Sequence, residues 1–328
     1  MTILATMVRY NTPLSDSQTV QGICDALAGD IRLRRAYSFL IWDNSPEELS
    51  MPRLPIAFAY KHSRSNLGVS GAFNNAMKYA YSHGDDWLLL LDQDTEVTAS
   101  FLRSMLHWTR RLESHREIAL IAPTVRVGDS IVSPRRYLFN HHRAYPGANP
   151  GIAPGNPFAI NSGCIVRTSA LSEIGGFSLD FWLDYSDIEL CHRFYLRGYK
   201  LWRATDAELQ HQMSIMDYDR LMTAARYTNY AYAETAFNDL YKGRLENLAQ
   251  TLRLLVRSIR QRRKYSNSIF SRITLAQLAY RLRVRRRERI RRFLADSQTR
   301  RRLYPAEGIQ LEHPSSEFAA RAPERKAV

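Results

Sequence analysis

The sequence predicts an α/β protein: a Rossmann-like, mostly parallel sheet flanked by helices, with a C-terminal basic helical extension. Three observations carry that reading. Short apolar runs rich in β-branched residues alternate with helical stretches, polar turn-forming clusters fall at the ends of the runs, and positive charge collects in one late block. A chain of 328 residues is long enough for one large α/β domain and an appendage.

Residues 2–8 read as a strand ended by Asn11-Thr12-Pro13, and 37–42 as a second ended by Asp43-Asn44-Ser45-Pro46. Residues 56–60 predict a third. The run Trp87-Leu88-Leu89-Leu90-Leu91 predicts a fourth, apolar throughout as a strand buried on both faces should be. Helices are expected over 15–27 and 69–81, the second with Phe73, Ala76, Met77 and Ala80 on one stripe. A helix over 101–113 and a strand over 118–122 follow. The stretch 134–157, with five prolines and three glycines, predicts an irregular extended loop over the site. A strand over 159–166, a short helix over 169–174 stopped by Gly175-Gly176, and a helix over 184–196 ended by Gly198 complete the body.

Composition excludes several classes. Glycine (15) and proline (13) are near ordinary usage, which rules out collagen-like and low-complexity chains. The apolar run at 87–91 is far short of the roughly 20 residues that cross a bilayer, and no charged-then-apolar leader opens the chain. Cys24, Cys164 and Cys191 lie at no zinc or redox spacing, so reduced thiols and a cytoplasmic location are expected. Residues 242–302 hold 20 Lys or Arg against Glu246, Glu288 and Asp296, more than the whole chain's net charge of +14. A near-neutral body with a cationic extension suits an enzyme brought to an anionic membrane, or a nucleic-acid-binding protein. Nucleic acid is the weaker alternative, because the extension's aromatics are few and no zinc-finger, RRM or KH signature appears.

Four constellations could carry chemistry. Asp92-Gln93-Asp94 follows the apolar strand, where two carboxylates can hold a hard divalent cation against a diphosphate; a plain turn is the bland alternative. Asn66 to Asn75 opens a helix with Gly68 and Gly71, whose free amides favour phosphate or ribose oxygens, without P-loop or dinucleotide spacing. Asp184 and Asp187, beside Trp182 and Tyr185, could supply a general base or merely cap a helix. His211 stands alone, and a lone histidine is more often structural.

The order of Tyr10-Asn11, Asp43-Asn44-Ser45, Asn66-x-Gly68 with Asn74, Asp92-Gln93-Asp94, Asn161-Ser162-Gly163, Gly175-Gly176-Phe177, Asp184-Tyr185-x-Asp187-Ile188-Glu189, Arg193, Gly198-Tyr199 and His211 resembles inverting family 2 glycosyltransferases. The likeness covers about the first two thirds of the chain and is nearest to bacterial rhamnosyltransferases. It implies a GT-A catalytic domain over 1–216, with a nucleotide-sugar part about 1–115 and an acceptor part about 116–216. It implies that Tyr10, Asn11 and Asp43 hold base and ribose, with Asn66, Gly71, Asn74 and Asp92 in the same pocket. Asp92, Asp94 and His211 would bind magnesium or manganese, Asp187 would be the base, and Trp182 and Asp184 would meet the acceptor. The donor would be a dTDP-, UDP- or GDP-sugar, with dTDP-L-rhamnose favoured. The acceptor would be a saccharide, free or lipid-linked, of a bacterial surface polysaccharide. One departure from the pattern is Ser186-Asp187, where many members have Glu-Asp.

Residues 217–303 are expected to form an arginine-rich helical extension and 304–328 a flexible tail. Leu245, Leu248, Leu252, Leu255 and Ile259 fall on helical spacing that suits a core, a second subunit or a membrane. The arginines from Arg281 to Arg292 are expected to hold the enzyme on the inner face of the cytoplasmic membrane.

Overall fold

The computed structural model describes residues 2–48, 54–138, 141–147, 149–210, 222–265 and 267–303. Strand β1 (Ile3–Arg9) is buried almost throughout, so it belongs at the centre of a sheet covered on both faces. It pairs in parallel with β2 (Tyr37–Asp43), which carries β3 (Ala59–His62) outside it, and on its other side with β4 (Trp87–Asp92). Helices α1 (Gln18–Gly29) and α2 (Ile31–Ala36) join β1 to β2, α3 (Gly68–His83) joins β3 to β4, and α4 (Ala99–Arg111) follows β4. Ser17 caps α1 by accepting from the Val20 amide, which starts that helix later than expected, after a 3-10 turn at Leu14–Asp16.

Beyond α4, β5 (Ile118–Val127) turns into β6 (Ser130–Ser133). The expected loop over 134–157 holds four short strands: β7 (Arg135–Leu138), β8 (His141–Ala144), β9 (Gly151–Ile152) and β10 (Pro157–Phe158). Its prolines sit in connections or open the edge strand β10, where no donor is missed. The strand expected over 159–166 shrinks to β11 (Ile165–Arg167), antiparallel to both β4 and β5, because Asn161-Ser162-Gly163 turns away to the site. Helices α5 (Thr168–Glu173) and α6 (Ser186–Leu196) precede β12 (Lys200–Gln210), an unanticipated strand parallel to β5. The sheet order is β3-β2-β1-β4-β11-β5-β12-β9.

Side chains alternate between the two faces of the sheet, as the strand period demands. Ile3, Ala5 and Met7 pack with α1, α2 and α4; Leu4 packs with α3, α5 and α6 on the other face. The third strand begins three residues later than expected because Ile56, only 9% exposed, anchors the preceding segment in the core.

The extension consists of α7 (Ala224–Tyr241), α8 (Arg244–Lys264), α9 (Ile269–Arg283) and α10 (Arg286–Leu303). Phe237 and Phe293 pack against Phe181 and Tyr185 of the body, so the extension docks beside α6. Of the arginines at 281–292, Arg283, Arg285, Arg287, Arg291 and Arg292 are exposed, whereas Arg281, Arg286 and Arg289 are engaged within the protein. Arg281 and Arg289 are 6% and 7% exposed, and Arg289 grips Asp239 through two 2.6 Å bonds. Arg286 donates to the Asp239 and Lys242 carbonyls at the end of α7, orphan acceptors that a cation satisfies well. These side chains hold helices together rather than facing a membrane. The boundary expected at 216/217 and the tail at 304–328 lie outside the described residues.

Candidate active site

The carboxyl ends of β1, β2 and β4 align, with Arg9 opposite Asp43 and Val8 opposite Asp92. In open α/β sheets this edge is where ligands sit. The Tyr10 amide donates to Gln93 Oε1 at 2.9 Å and the Asn11 amide to Ser45 Oγ at 2.9 Å, which draws three strand ends into one rim. Asn11 holds a left-handed φ of 54°, and Tyr10 is 44% exposed beside it.

Asp43 lies in this rim, but its carboxylate is fully buried and engaged internally. Arg9 Nη1 donates to it at 2.6 Å, the Tyr60 hydroxyl at 2.7 Å and the Ser45 amide at 2.9 Å. Burial pushes its pKa up, yet the bonds from Ser45 and Tyr60 and the Arg9 charge outweigh that and hold it below the ordinary value. Its ionised carboxylate therefore sits in the floor of the site, held by these three partners.

The helix-opening residues also serve the fold. Asn66 Oδ1 accepts from the Gly68 amide at 2.9 Å. Gly68 has φ +67°, and a Cβ there would come within 2.2 Å of the Trp182 carbonyl, so only glycine permits the close approach. Ser70 donates its amide to that same carbonyl at 3.1 Å. Gly71 admits the Leu67 side chain, which a Cβ would meet at 2.6 Å. Asn74 acts as a clamp: its amide donates to Phe177 O at 2.9 Å and accepts from Phe177 N at 2.7 Å. Together these bonds seat 177–182 against α3.

Asp92 is half-buried and Asp94 exposed. Ser162 Oγ donates to Asp92 Oδ2 at 2.6 Å, and the neighbouring Asn161 donates to Ser186 Oγ at 3.2 Å. One dipeptide thus ties the Asp92 segment to the start of α6, where Asp187 sits in the first turn. Burial pushes the Asp187 carboxyl up to about 6, with the nearby charges of Asp184 and Asp92 adding to it. Tyr185, in a left-handed φ of 68°, precedes the helix and points its buried ring into the contact with α7.

Asp184 is 9% exposed and pairs with Arg226 at 3.1 Å. Burial raises its pKa and Arg226 opposes the rise. Arg226, on α7, is a site-bordering residue that sequence patterning missed, since nothing local marks a partner 42 positions away. His211 lies outside the described residues. Among those described, no three His, Cys, Asp or Glu converge as a ready metal cage. The carboxylates of Asp92 and Asp94 are hard oxygen donors that suit a divalent cation whose other ligands come from a diphosphate.

The carboxyl edge of the sheet thus gathers Asp43, Asp92 and, through Asn161-Ser162, the start of α6 with Asp187. Comparison with known proteins points the same way: residues 40–175 match the model for Glycosyl transferase family 2. It is 25% identical over 191 residues to the galactofuranosyltransferase GlfT1 of Mycobacterium tuberculosis (strain CDC 1551 / Oshkosh), covering 57% of this chain and 62% of that protein. The GlfT1 of Mycolicibacterium smegmatis is 25% identical over 216 residues, 63% of this chain and 71% of the relative. The match thus spans less than two thirds of the length of the Mycobacterium tuberculosis protein. A crystal structure of S. aureus TarS overlays with a TM-score of 0.47 at 13% identity, covering 92% of this chain and 49% of that one.

Proposed function

We propose that this chain is an inverting glycosyltransferase that moves a sugar from a nucleoside diphosphate to a saccharide hydroxyl. The observation that supports the reading is the pairing of Asp92 with Ser162 and of Asn161 with Ser186, which ties Asp92 to the start of α6, where Asp187 stands. An acceptor hydroxyl has a pKa far above neutrality, so its attack needs a carboxylate within hydrogen-bond reach. Asp187, with a pKa near 6, is ionised at neutral pH yet more basic than an ordinary aspartate. It takes the hydroxyl proton as the acceptor oxygen bonds to the anomeric carbon and the bond to the diphosphate oxygen breaks. Attack opposite the leaving group inverts the anomeric centre.

In this reading Asp92 and Asp94, with His211 as the third ligand, would hold a magnesium or manganese ion. Such an ion supplies positive charge to the leaving diphosphate. Tyr10 and Asn11 frame the nucleoside, and Trp182 and Asp184 border the acceptor. The nucleotide-sugar donor and saccharide acceptor follow from the family domain. The motif resemblance favours dTDP-L-rhamnose, while the likeness to galactofuranosyltransferases offers a galactofuranose donor as a second reading. The acceptor is proposed to be a lipid-linked saccharide of a bacterial surface polysaccharide, met at the cytoplasmic face of the membrane. Incubation with a panel of dTDP-, UDP- and GDP-sugars, scored by metal-dependent hydrolysis and thermal shift, tests the proposal. No donor hydrolysed and none stabilising the protein would overturn it.

A further inference from the structure

Helix α8 is built inside out. Its inner face is polar: Asn247 donates to the Asn238 and Lys242 carbonyls, Gln261 to the Tyr227 hydroxyl at 2.7 Å, and Arg257 forms two 2.6 Å bonds with Glu234 of α7. Leu254 is the apolar exception among its buried residues. Its outer face carries Leu245, Leu248, Leu252, Leu255, Val256 and Ile259, each between 45% and 83% exposed. At 100° per residue these six side chains form one continuous stripe. Amphipathic helices of water-soluble domains put such a stripe inward, and an exposed contiguous apolar surface marks an interaction site.

The charges around the stripe select the occupant. Arg260, Arg263 and Lys264 are exposed at the C-terminal end of the same helix, and a shallow groove is lined jointly by Val256, Ile259 and these three. A second copy of the chain would bring an equally cationic extension against this one, 20 Lys or Arg to three carboxylates over 242–302. Anionic headgroups would neutralise that charge while the acyl boundary takes the leucines. Among the described residues no helix is long and apolar enough to cross a membrane, so the contact is one of lying on the surface.

We propose that α8 is an interfacial helix that lays its leucine stripe into an anionic lipid surface, with Arg260, Arg263 and Lys264 at the headgroups. This centres the membrane contact on α8, because Arg281, Arg286 and Arg289 of the neighbouring helices are engaged internally. It deepens the transferase reading by placing the acceptor's lipid beside the enzyme, but it is read out without sugar transfer.

The experiment is co-sedimentation of the full chain with vesicles of phosphatidylcholine alone and of phosphatidylcholine with phosphatidylglycerol, at graded salt. Binding should require the anionic lipid and weaken with salt. Replacing Leu248, Leu252 and Ile259 together with Gln should lower the partition coefficient roughly tenfold or more, because each leaves apolar contact behind. Since all three are exposed, thermal melting should hold and donor-induced thermal shift should be unchanged. A second variant, Arg260→Gln with Arg263→Gln and Lys264→Gln, should remove the anionic preference. Equal binding to both vesicle types, or wild-type binding by the leucine variant, would overturn the proposal. So would a concentration-dependent dimer that the leucine variant abolishes in the absence of lipid. Donor hydrolysis with no vesicle binding would reject this inference and leave the transferase reading standing; vesicle binding with no donor hydrolysed would do the reverse.

Discussion

Ser162 donates a 2.6 Å hydrogen bond to Asp92 Oδ2 across 70 positions of chain. The Ser162 hydroxyl is itself buried and also lies 3.0 Å from Thr95 Oγ1, so the Asp92 carboxylate is held from a rigid support. A hydrogen bond to a charged group contributes about 1.5–3 kcal/mol. Ser162→Ala should therefore weaken metal-dependent donor binding by roughly tenfold to a hundredfold, since an untethered carboxylate must be ordered on binding. Thermal-shift titration with manganese and the nucleoside diphosphate checks this. Unchanged affinity would mean that Asp92 is not a ligand.

Asp187→Asn should lower kcat by about 10² to 10⁴ while leaving donor binding intact, the signature of a lost proton acceptor. In the wild-type chain the rate should rise as pH passes through about 6, where Asp187 ionises. Stability runs the other way. A carboxyl whose folded pKa is raised stabilises the fold fully below the ordinary aspartate value, and that contribution is lost as pH rises through about 6. Above neutrality the Asn variant should thus be the more stable by about 1–2 kcal/mol, read by urea melts at two pH values. If Asp184→Asn is the inactive variant and Asp187→Asn turns over normally, the base has been misassigned.

The central strands and the three polar strand ends were legible because both causes are local: apolar runs buried on two faces, and turn residues after them. What escaped was contact between distant positions. Asp43 could be placed at the end of β2, but nothing in its neighbours shows that Arg9 and Tyr60 close over it. Asn74 opens a glycine-started helix like a ligand-binding residue, and only the fold reveals Phe177 on both ends of its amide. β12 was missed because its half-buried pattern interleaves Lys200, Arg203, Asp206 and Glu208 with apolar residues, which reads as no strong period. Leu248 and Leu252 could be read as facing a core, a second subunit or a membrane, since spacing states that a helix has an apolar face without stating which way it points.

Arg226→Ala tests how the extension closes the acceptor side. Asp184, 9% exposed, would lose its counter-charge and its pKa, already raised by burial, would rise further. Because Arg226 is itself 45% exposed, the cost in stability is small, about 1 kcal/mol or less. The acceptor KM should rise while donor affinity holds. Asp184→Asn in the Arg226→Ala background should restore the stability, and a double-mutant cycle measures the coupling. Additive effects would mean that the pair carries no coupling.

The last prediction separates buried arginines from exposed ones in the same short stretch. Arg289 binds both oxygens of Asp239, a residue only 1% exposed, and Arg281 Nη1 stands 3.5 Å from the same carboxylate. Arg289 also donates to the Arg281 and Val284 carbonyls, closing the end of α9. Arg289→Met keeps the aliphatic bulk but leaves Asp239 with one cation where it had two, and leaves those carbonyls unsatisfied. Breaking a buried pair costs about 3–5 kcal/mol, and the remaining Arg281 puts this case near the lower end. Arg285 and Arg287 are exposed, so replacing either with Ala should change stability by no more than about 0.5 kcal/mol. Adding Asp239→Leu to Arg289→Met should recover only part of the loss, because Arg281 then becomes the buried charge without its carboxylate. Urea denaturation of the four variants decides it, and a wild-type midpoint for Arg289→Met would show that the arginine is solvated and free to face a membrane after all.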